Sequence, residues 1–115
     1  MESVTDKTAR YRTAIKEILS GFASVPYAVG NLRVRTLFDE ANERYIVISD
    51  DWVRRKRYHG IIVDLEIVNG KVWIHADNTD IGIALKLEER GIPKADIVLG
   101  FRLPEVRAET EYAVA

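Results

Sequence analysis

The stretch Arg57–Gly91, RYHGIIVDLEIVNGKVWIHADNTDIGIALKLEERG, decides the fold, because a strand, a tight turn, a second strand and a capped helix follow with almost no slack. Asn69-Gly70 between two β-rich runs is the strongest short-range hairpin signal, since a type I′ turn needs positive φ at both central positions. With Val68 and Lys71 flanking the turn, Ile67 faces Val72, Leu65 faces Ile74 and Val63 faces Ala76, so one side of the hairpin is apolar. The reverse side sets Glu66 against Trp73, Asp64 against His75 and Ile62 against Asp77. That mixed side is the first place to look for function.

Downstream, Asp77-Asn78-Thr79-Asp80 reads as a helix start, with more than one capping residue and acidic groups at the favourable end of the helix dipole. Ile81, Ala84, Leu85 and Glu88 form one line of this helix, with Ile83 and Leu87 beside it. Gly82 inside it sacrifices about 1 kcal/mol relative to alanine, which points to close packing of the backbone. Gly91, followed by Ile92 and Pro93, supplies a Schellman stop. Pro93–Asp96 reads as a short turn, Ile97–Leu99 as a strand joining a sheet edge, and the segment from Phe101 to Arg107 as a loop with a helical turn.

Upstream, an amphipathic helix is expected over Asp6–Ala23. Tyr11, Ile15, Ile18 and Phe22 recur at steps of four and three, with Ala14 and Leu19 widening the stripe. Ser3 or Thr5 caps its start, Gly21 weakens its final turns, and Pro26 opposes its continuation. Such a face suits a sheet better than a membrane surface. Leu32, Val34, Thr36 and Phe38 alternate with polar neighbours, and Arg44–Ser49 restarts the pattern, so these segments form a first hairpin. Asp50–Val53 and the basic run after it would then cross to the second hairpin. Alternation through Arg55, Arg57, His59 and Ile61 would put charge on the apolar face, so a bulge near His59-Gly60 must reset the facing unless the sheet has already ended. Gly60 itself reads as a bulge or a close approach. The predicted fold is one α+β domain over residues 1–115. Its mainly antiparallel sheet of about four strands is built from two hairpins, with the N-terminal helix on it and a second helix after the second hairpin.

A chain of 115 residues is long enough for one hydrophobic core, and 47% apolar with 30% charged residues is ordinary globular composition. Without cysteine there are no disulfides, thiolate nucleophiles or cysteine zinc sites. No run approaches the roughly 18 apolar residues of a membrane span, and Met1-Glu2-Ser3 lacks the start of a secretory signal, so a cytoplasmic protein is the expectation. The net charge of −1 does not advertise nucleic-acid binding. Its distribution is less even: residues 1–60 carry 11 Lys/Arg against 8 Asp/Glu, and residues 61–115 carry 6 against 10. Arg54-Arg55-Lys56-Arg57 is the one concentrated positive run, suited to phosphate or an acidic partner or simply to solvent.

Several blocks in order resemble the XisI-like family, named for a controlling factor of programmed excision of the fdxN DNA element in cyanobacteria. They are W-x(5)-Y-H-G from Trp52 to Gly60, DLEIVNGKVWIHADNTDIGIA from Asp64 to Ala84, GIPKADIVLGF from Gly91 to Phe101, and the ending PEVRAETEYAVA from Pro104. The resemblance implies a small α+β protein that assists a site-specific recombinase together with a nuclease-like XisH partner, and it transfers no catalytic residue. Trp52, Gly60, Gly70, Trp73, Asp77, Thr79, Gly82, Gly91, Pro93 and Gly100 fit the family's pattern. The chain departs from it at Val53-Arg54, where Asp-Gly is more usual, and at His75, where glutamine is more typical. The second departure argues against an invariant catalytic histidine.

Among the residues that could carry chemistry, Asp64, His75 and Asp77 could converge on the polar rim of the second hairpin to hold a divalent metal or a water. The simpler expectation is an Asp64–His75 cross-strand hydrogen bond with Asp77 as a helix cap, because three scattered ligands without supporting groups are a poor metal signature. His59 is more plausibly a hydrogen-bonded residue than a general base. Asp50 and Asp51, as consecutive strand residues, point to opposite faces and make no acid/base pair. No nucleophile elbow, G-x-G-x-x-G, P-loop, helix-turn-helix or zinc finger occurs. Tyr27, Tyr45, Trp52, Tyr58 and Trp73 could stack bases beside Arg33, Arg35 and the basic run, though core or interface roles are commoner at strand spacing.

The expected function is therefore non-enzymatic, without cofactor or metal: an accessory factor in excision acting with a recombinase and an XisH-like partner. Arg54, Arg55, Lys56 and Arg57 would make the electrostatic contact, to the partner or to DNA phosphate, with Trp52 and Tyr58 as flanking anchors. The competing expectation is an interaction module that binds and restrains the XisH-like protein without any part in recombination. An enzyme built around Asp64, His75 and Asp77 is a third and minor reading. Edge pairing or the exposed side of the sheet could also make a homodimer.

Overall fold

The computed structural model describes residues 2–24 and 32–115, so the readings placed on Pro26 and Tyr27 lie outside the described residues. Helix α1 (Val4–Ser24) is followed by strands β1 (Val34–Asp39), β2 (Arg44–Val53), β3 (Lys56–Val68) and β4 (Lys71–Asp77). Helix α2 (Ile83–Glu89), a 3₁₀ turn (Lys94–Asp96), strand β5 (Ile97–Leu99) and a short helix α3 (Pro104–Arg107) complete the chain. The strands lie in the order β1-β2-β3-β4-β5. The first four are joined antiparallel, and β5 returns parallel to β4 after α2.

The fold class is thus α+β as expected, with one difference in how the sheet is connected. The basic run does not cross between two separate hairpins. Arg54 and Arg55 form a tight turn between Val53 and Lys56, so β1 to β4 are one continuous meander. The strand expected at Ile97–Leu99 is present and makes the sheet five-stranded.

Helix α1 starts at its cap, Ser3, whose Oγ accepts the Asp6 N–H at 3.1 Å. Tyr11, Ala14, Ile15 and Leu19 are buried on its inner face. They pack with Tyr45 and Val47 of β2, Val63, Leu65 and Ile67 of β3, Val72 and Ile74 of β4, and Ile83 and Leu87 of α2. Each fully buried aliphatic side chain contributes about 2 kcal/mol, which outweighs any intrinsic preference of this helix sequence. Polar ties set its position. Tyr11 donates its hydroxyl to Asp96 at 2.5 Å, Lys7 reaches the same carboxylate, Arg12 pairs with Glu43, and Arg90 with Glu17. No helix among the described residues is long and apolar enough to cross a membrane.

Two bulges decide which residues face outward. Between β2 and β3 the pairing runs Val47↔Val63 and then Ile48↔Ile61, which leaves Ile62 as the extra residue. This is the reset that the charge pattern demanded, placed two residues after Gly60: Ile62 is buried, while Ile61, His59 and Arg57 turn to the outer face. Gly60 pairs regularly with Ser49, and a Cβ there would meet open space, so it is neither the bulge nor a close approach. Between β3 and β4 the expected register holds from Val68↔Lys71 to Leu65↔Ile74 and then shifts to Asp64↔Ala76 and Val63↔Asp77. His75 is the unpaired residue of this second bulge.

The turn at Asn69 and Gly70 has φ of 50° and 77°, as a type I′ hairpin requires. After Gly91 (φ 87°), the Gly91 N–H bonds to the Glu88 carbonyl and the Ile92 N–H to that of Leu87, the two bonds of a Schellman motif. Gly82 differs from expectation. It lies before the first turn of α2 at φ 79° rather than within it, and its nearest side-chain neighbour is 4.0 Å away. A left-handed backbone, and not tight packing, is what suits glycine there.

Candidate functional site

The three residues proposed as a polar cluster are dispersed by the second bulge. Asp64 sits on the outer face with only 6% of its surface exposed, and Arg44 of the neighbouring strand grips it through two hydrogen bonds of 2.7 and 2.8 Å. His75 instead donates its Nε2–H to Glu66 at 2.8 Å. The expected Asp64–His75 hydrogen bond is therefore absent, because the extra residue in β4 puts Ala76 opposite Asp64.

Asp77 faces the other way and ties down the first N–H of α2, but the helix starts at Ile83 with Gly82 as its N-cap and not at Asp77–Asp80 as expected: the Asp77 carboxylate accepts from the Thr79 N–H and hydroxyl and from the Ile83 N–H. Among the described residues no group of three or more histidines and carboxylates could hold a metal ion. Trp73 is not a bare stacking platform either, since His75 stacks beside it and the Arg107 guanidinium lies 5.2 Å from its ring centroid. Tyr45 is fully buried and closed to any base.

What the fold does bring together is the other set, Trp52, Arg54, Arg55, Lys56, Arg57 and Tyr58. Beyond Asp50 and His59 the strands β2 and β3 continue through Asp51↔Tyr58, Trp52↔Arg57 and Val53↔Lys56, and among the described residues no third strand flanks these pairs. They form a two-stranded ribbon closed by Arg54 and Arg55. Arg54 holds a φ of 60°, a left-handed conformation that favours glycine.

Side chains alternate across the ribbon. Trp52, 61% exposed, and Arg57 share the outer side, with the Arg57 guanidinium 5.9 Å from the indole centroid. Lys56 and Tyr58 share the inner side, with the ammonium 4.9 Å from the ring. Arg54 and Arg55 are exposed and make no ion pair among the described residues.

At the base of the ribbon Asp50 gathers its neighbours. Arg57 donates to it at 3.0 Å, Arg35 approaches to 3.3 Å, Arg33 to 4.0 Å and His59 to 3.5 Å. The Arg57 guanidinium holds the Asp50 carboxyl below the usual carboxylate range. Asp51 is occupied with the backbone, accepting from the Arg33 and Trp52 N–H groups. The arginines Arg33 and Arg35 belong to this patch only through the sheet. Their spacing of two, at and just before the start of β1, placed them on one face, but joining them to Asp50 required the β1–β2 register.

The chain matches the family model described as XisI protein over residues 5–114. Its structure is similar to the crystal structure of the fdxN element excision controlling factor XisI from Anabaena variabilis ATCC 29413, with 37% identity, 96% of this chain and 100% of that chain covered, and a TM-score of 0.78. It is also similar to a XisI-like protein from the same organism, with 29% identity, 94% and 99% covered, and a TM-score of 0.83. No curated protein matches.

Proposed function

This chain belongs to the XisI family, and on that footing we propose that it is a non-enzymatic accessory factor in the programmed excision of a DNA element, working with a site-specific recombinase and an XisH-like partner. The observation that carries this reading is the full-length likeness, at 37% identity, to a protein named an fdxN element excision controlling factor. The polar chemistry of the described residues is consistent with it. Asp64 is committed to Arg44, His75 to Glu66 and Asp77 to the start of α2, so each of the candidate reactive groups already has structural work.

Contact, rather than bond-making, is then the means of action, and the ribbon tip is the element suited to it. Four cations in sequence attract phosphate or an acidic protein surface, and exposed Trp52 with half-buried Tyr58 provides apolar area beside them. Co-expression with an XisH-like protein and purification through a tag on either chain tests the contact. Joint elution that is lost on replacing Trp52 and the four cations is the expected result. Failure of the unaltered pair to elute together would remove the partner from the account.

A further inference from the structure

We propose that the β2–β3 ribbon enters a groove of duplex DNA and takes phosphates from both of its walls. The proposal rests on the ribbon being a contact element, as above, and not on any role in excision.

The size of the ribbon suits a groove. Three residue pairs beyond Asp50↔His59, with no third strand beside them among the described residues, reach about 10 Å, and the turn adds to that. The major groove, about 12 Å wide and 8.5 Å deep, admits a two-stranded ribbon. The cations are placed for a groove as well. Lys56 projects on one face, Arg57 on the other, and Arg54 and Arg55 stand at the end. A flat acidic protein surface would meet one face and leave the opposite cation in solvent, whereas a groove has phosphate on both sides.

Positive charge remains after internal pairing. Arg33, Arg35, Arg54, Arg55, Lys56 and Arg57 are six cations, and Asp50 and Asp51 are the two carboxylates among them, a surplus of four. Arg54 adds a backbone argument, because a positive φ costs a non-glycine residue about 1 kcal/mol. The turn carries a cation at a position where glycine would be more stable. Lys56 and Arg57, one on each face, are placed for the phosphate walls, and contacts of that kind position the ribbon without reading sequence.

Fluorescence anisotropy of the full chain with a short mixed-sequence duplex, between about 50 and 200 mM salt, tests this. Binding should weaken as salt rises. The triple variant Arg54→Asn, Arg55→Gln, Lys56→Gln should lower the slope of log K against log salt by about 3 in magnitude. The single variants Lys56→Gln and Arg57→Gln, one on each face, should each lower it by about 1. Arg54→Gly controls for folding: its thermal midpoint should stay level or rise while DNA binding falls.

No duplex binding at the lowest salt, an unchanged slope in the triple variant, or equal affinity for the single strand would overturn the proposal. So would dependence on one face only. Loss of an XisH-like partner in the same variants, with DNA binding intact, would overturn the groove and leave the ribbon's role as a protein contact standing.

Discussion

Arg44 and Asp64, twenty residues apart in sequence, meet edge to edge across β2 and β3 through two charge-assisted hydrogen bonds, and this pair claims the carboxylate that regular pairing would have set opposite His75. Such a bidentate pair is strong because both oxygens of a nearly buried carboxylate are satisfied at once. Replacing Arg44 by alanine leaves Asp64 without that partner and should cost about 1–3 kcal/mol in urea unfolding. Converting both to apolar residues of similar volume should recover most of the loss. A cost below about 0.5 kcal/mol for the single change would mean that the pair is solvated and structurally idle.

Gly100 marks a second fixed point on the outer face. A Cβ there would lie 3.0 Å from the Trp73 ring, 3.2 Å from the Ile74 carbonyl and 3.3 Å from the His75 ring. The backbone carbonyl cannot swing away as a flexible side chain would. Gly100→Ala should therefore destabilise by about 1–3 kcal/mol through overpacking, and near-ultraviolet circular dichroism should report a moved Trp73. An unchanged spectrum and midpoint would show that β4 and the segment after β5 yield freely.

Acid should loosen the attachments of α1 and of the segment around Tyr112 before it touches the core. The Arg12 guanidinium, with the Tyr45 hydroxyl, holds the Glu43 carboxyl below its usual 4.5, and Lys94 with Tyr112 does the same for Glu88. A depressed folded-state pKa gives stability that is present above the unfolded value and is lost as pH falls through the folded one. The thermal midpoint should accordingly fall as pH drops below about 4.5. Glu43→Gln should be less stable than the unaltered protein at neutral pH by about 1–2 kcal/mol, with the difference shrinking below that point. A difference that stays constant across pH would assign the loss to packing alone. On the alkaline side, burial pushes the Tyr11 and Tyr45 hydroxyls up, so stability present below pH about 10 should be lost at higher pH.

How far the fold could be read depended on where the chain carries distinctive punctuation. Asn69-Gly70 fixed one hairpin and its register as far as Leu65↔Ile74, and Gly91-Ile92-Pro93 fixed the end of α2. The β2–β3 turn carries no glycine, asparagine, aspartate or proline, and acidic residues precede it, so a charged ribbon read as a connection. The His75 bulge was silent because the neighbouring Ala76 is small enough to stand on either face. Of the candidate site, the residues of the basic run were legible as charge. Their gathering onto a projecting ribbon, and the tie of Asp50 to Arg33 and Arg35, came from long-range register that local patterns do not encode.

Excision of the DNA element in cells that contain the recombinase and the XisH-like protein is the most direct measure of the account. Four strains suffice: the intact gene, a deletion, the triple ribbon variant, and Arg44→Ala as a control outside the ribbon. Excision should fall sharply in the deletion and in the ribbon variant, and follow only the amount of folded protein in the control. Undiminished excision in the deletion strain, with the recombinase and the XisH-like protein both present, would contradict the account.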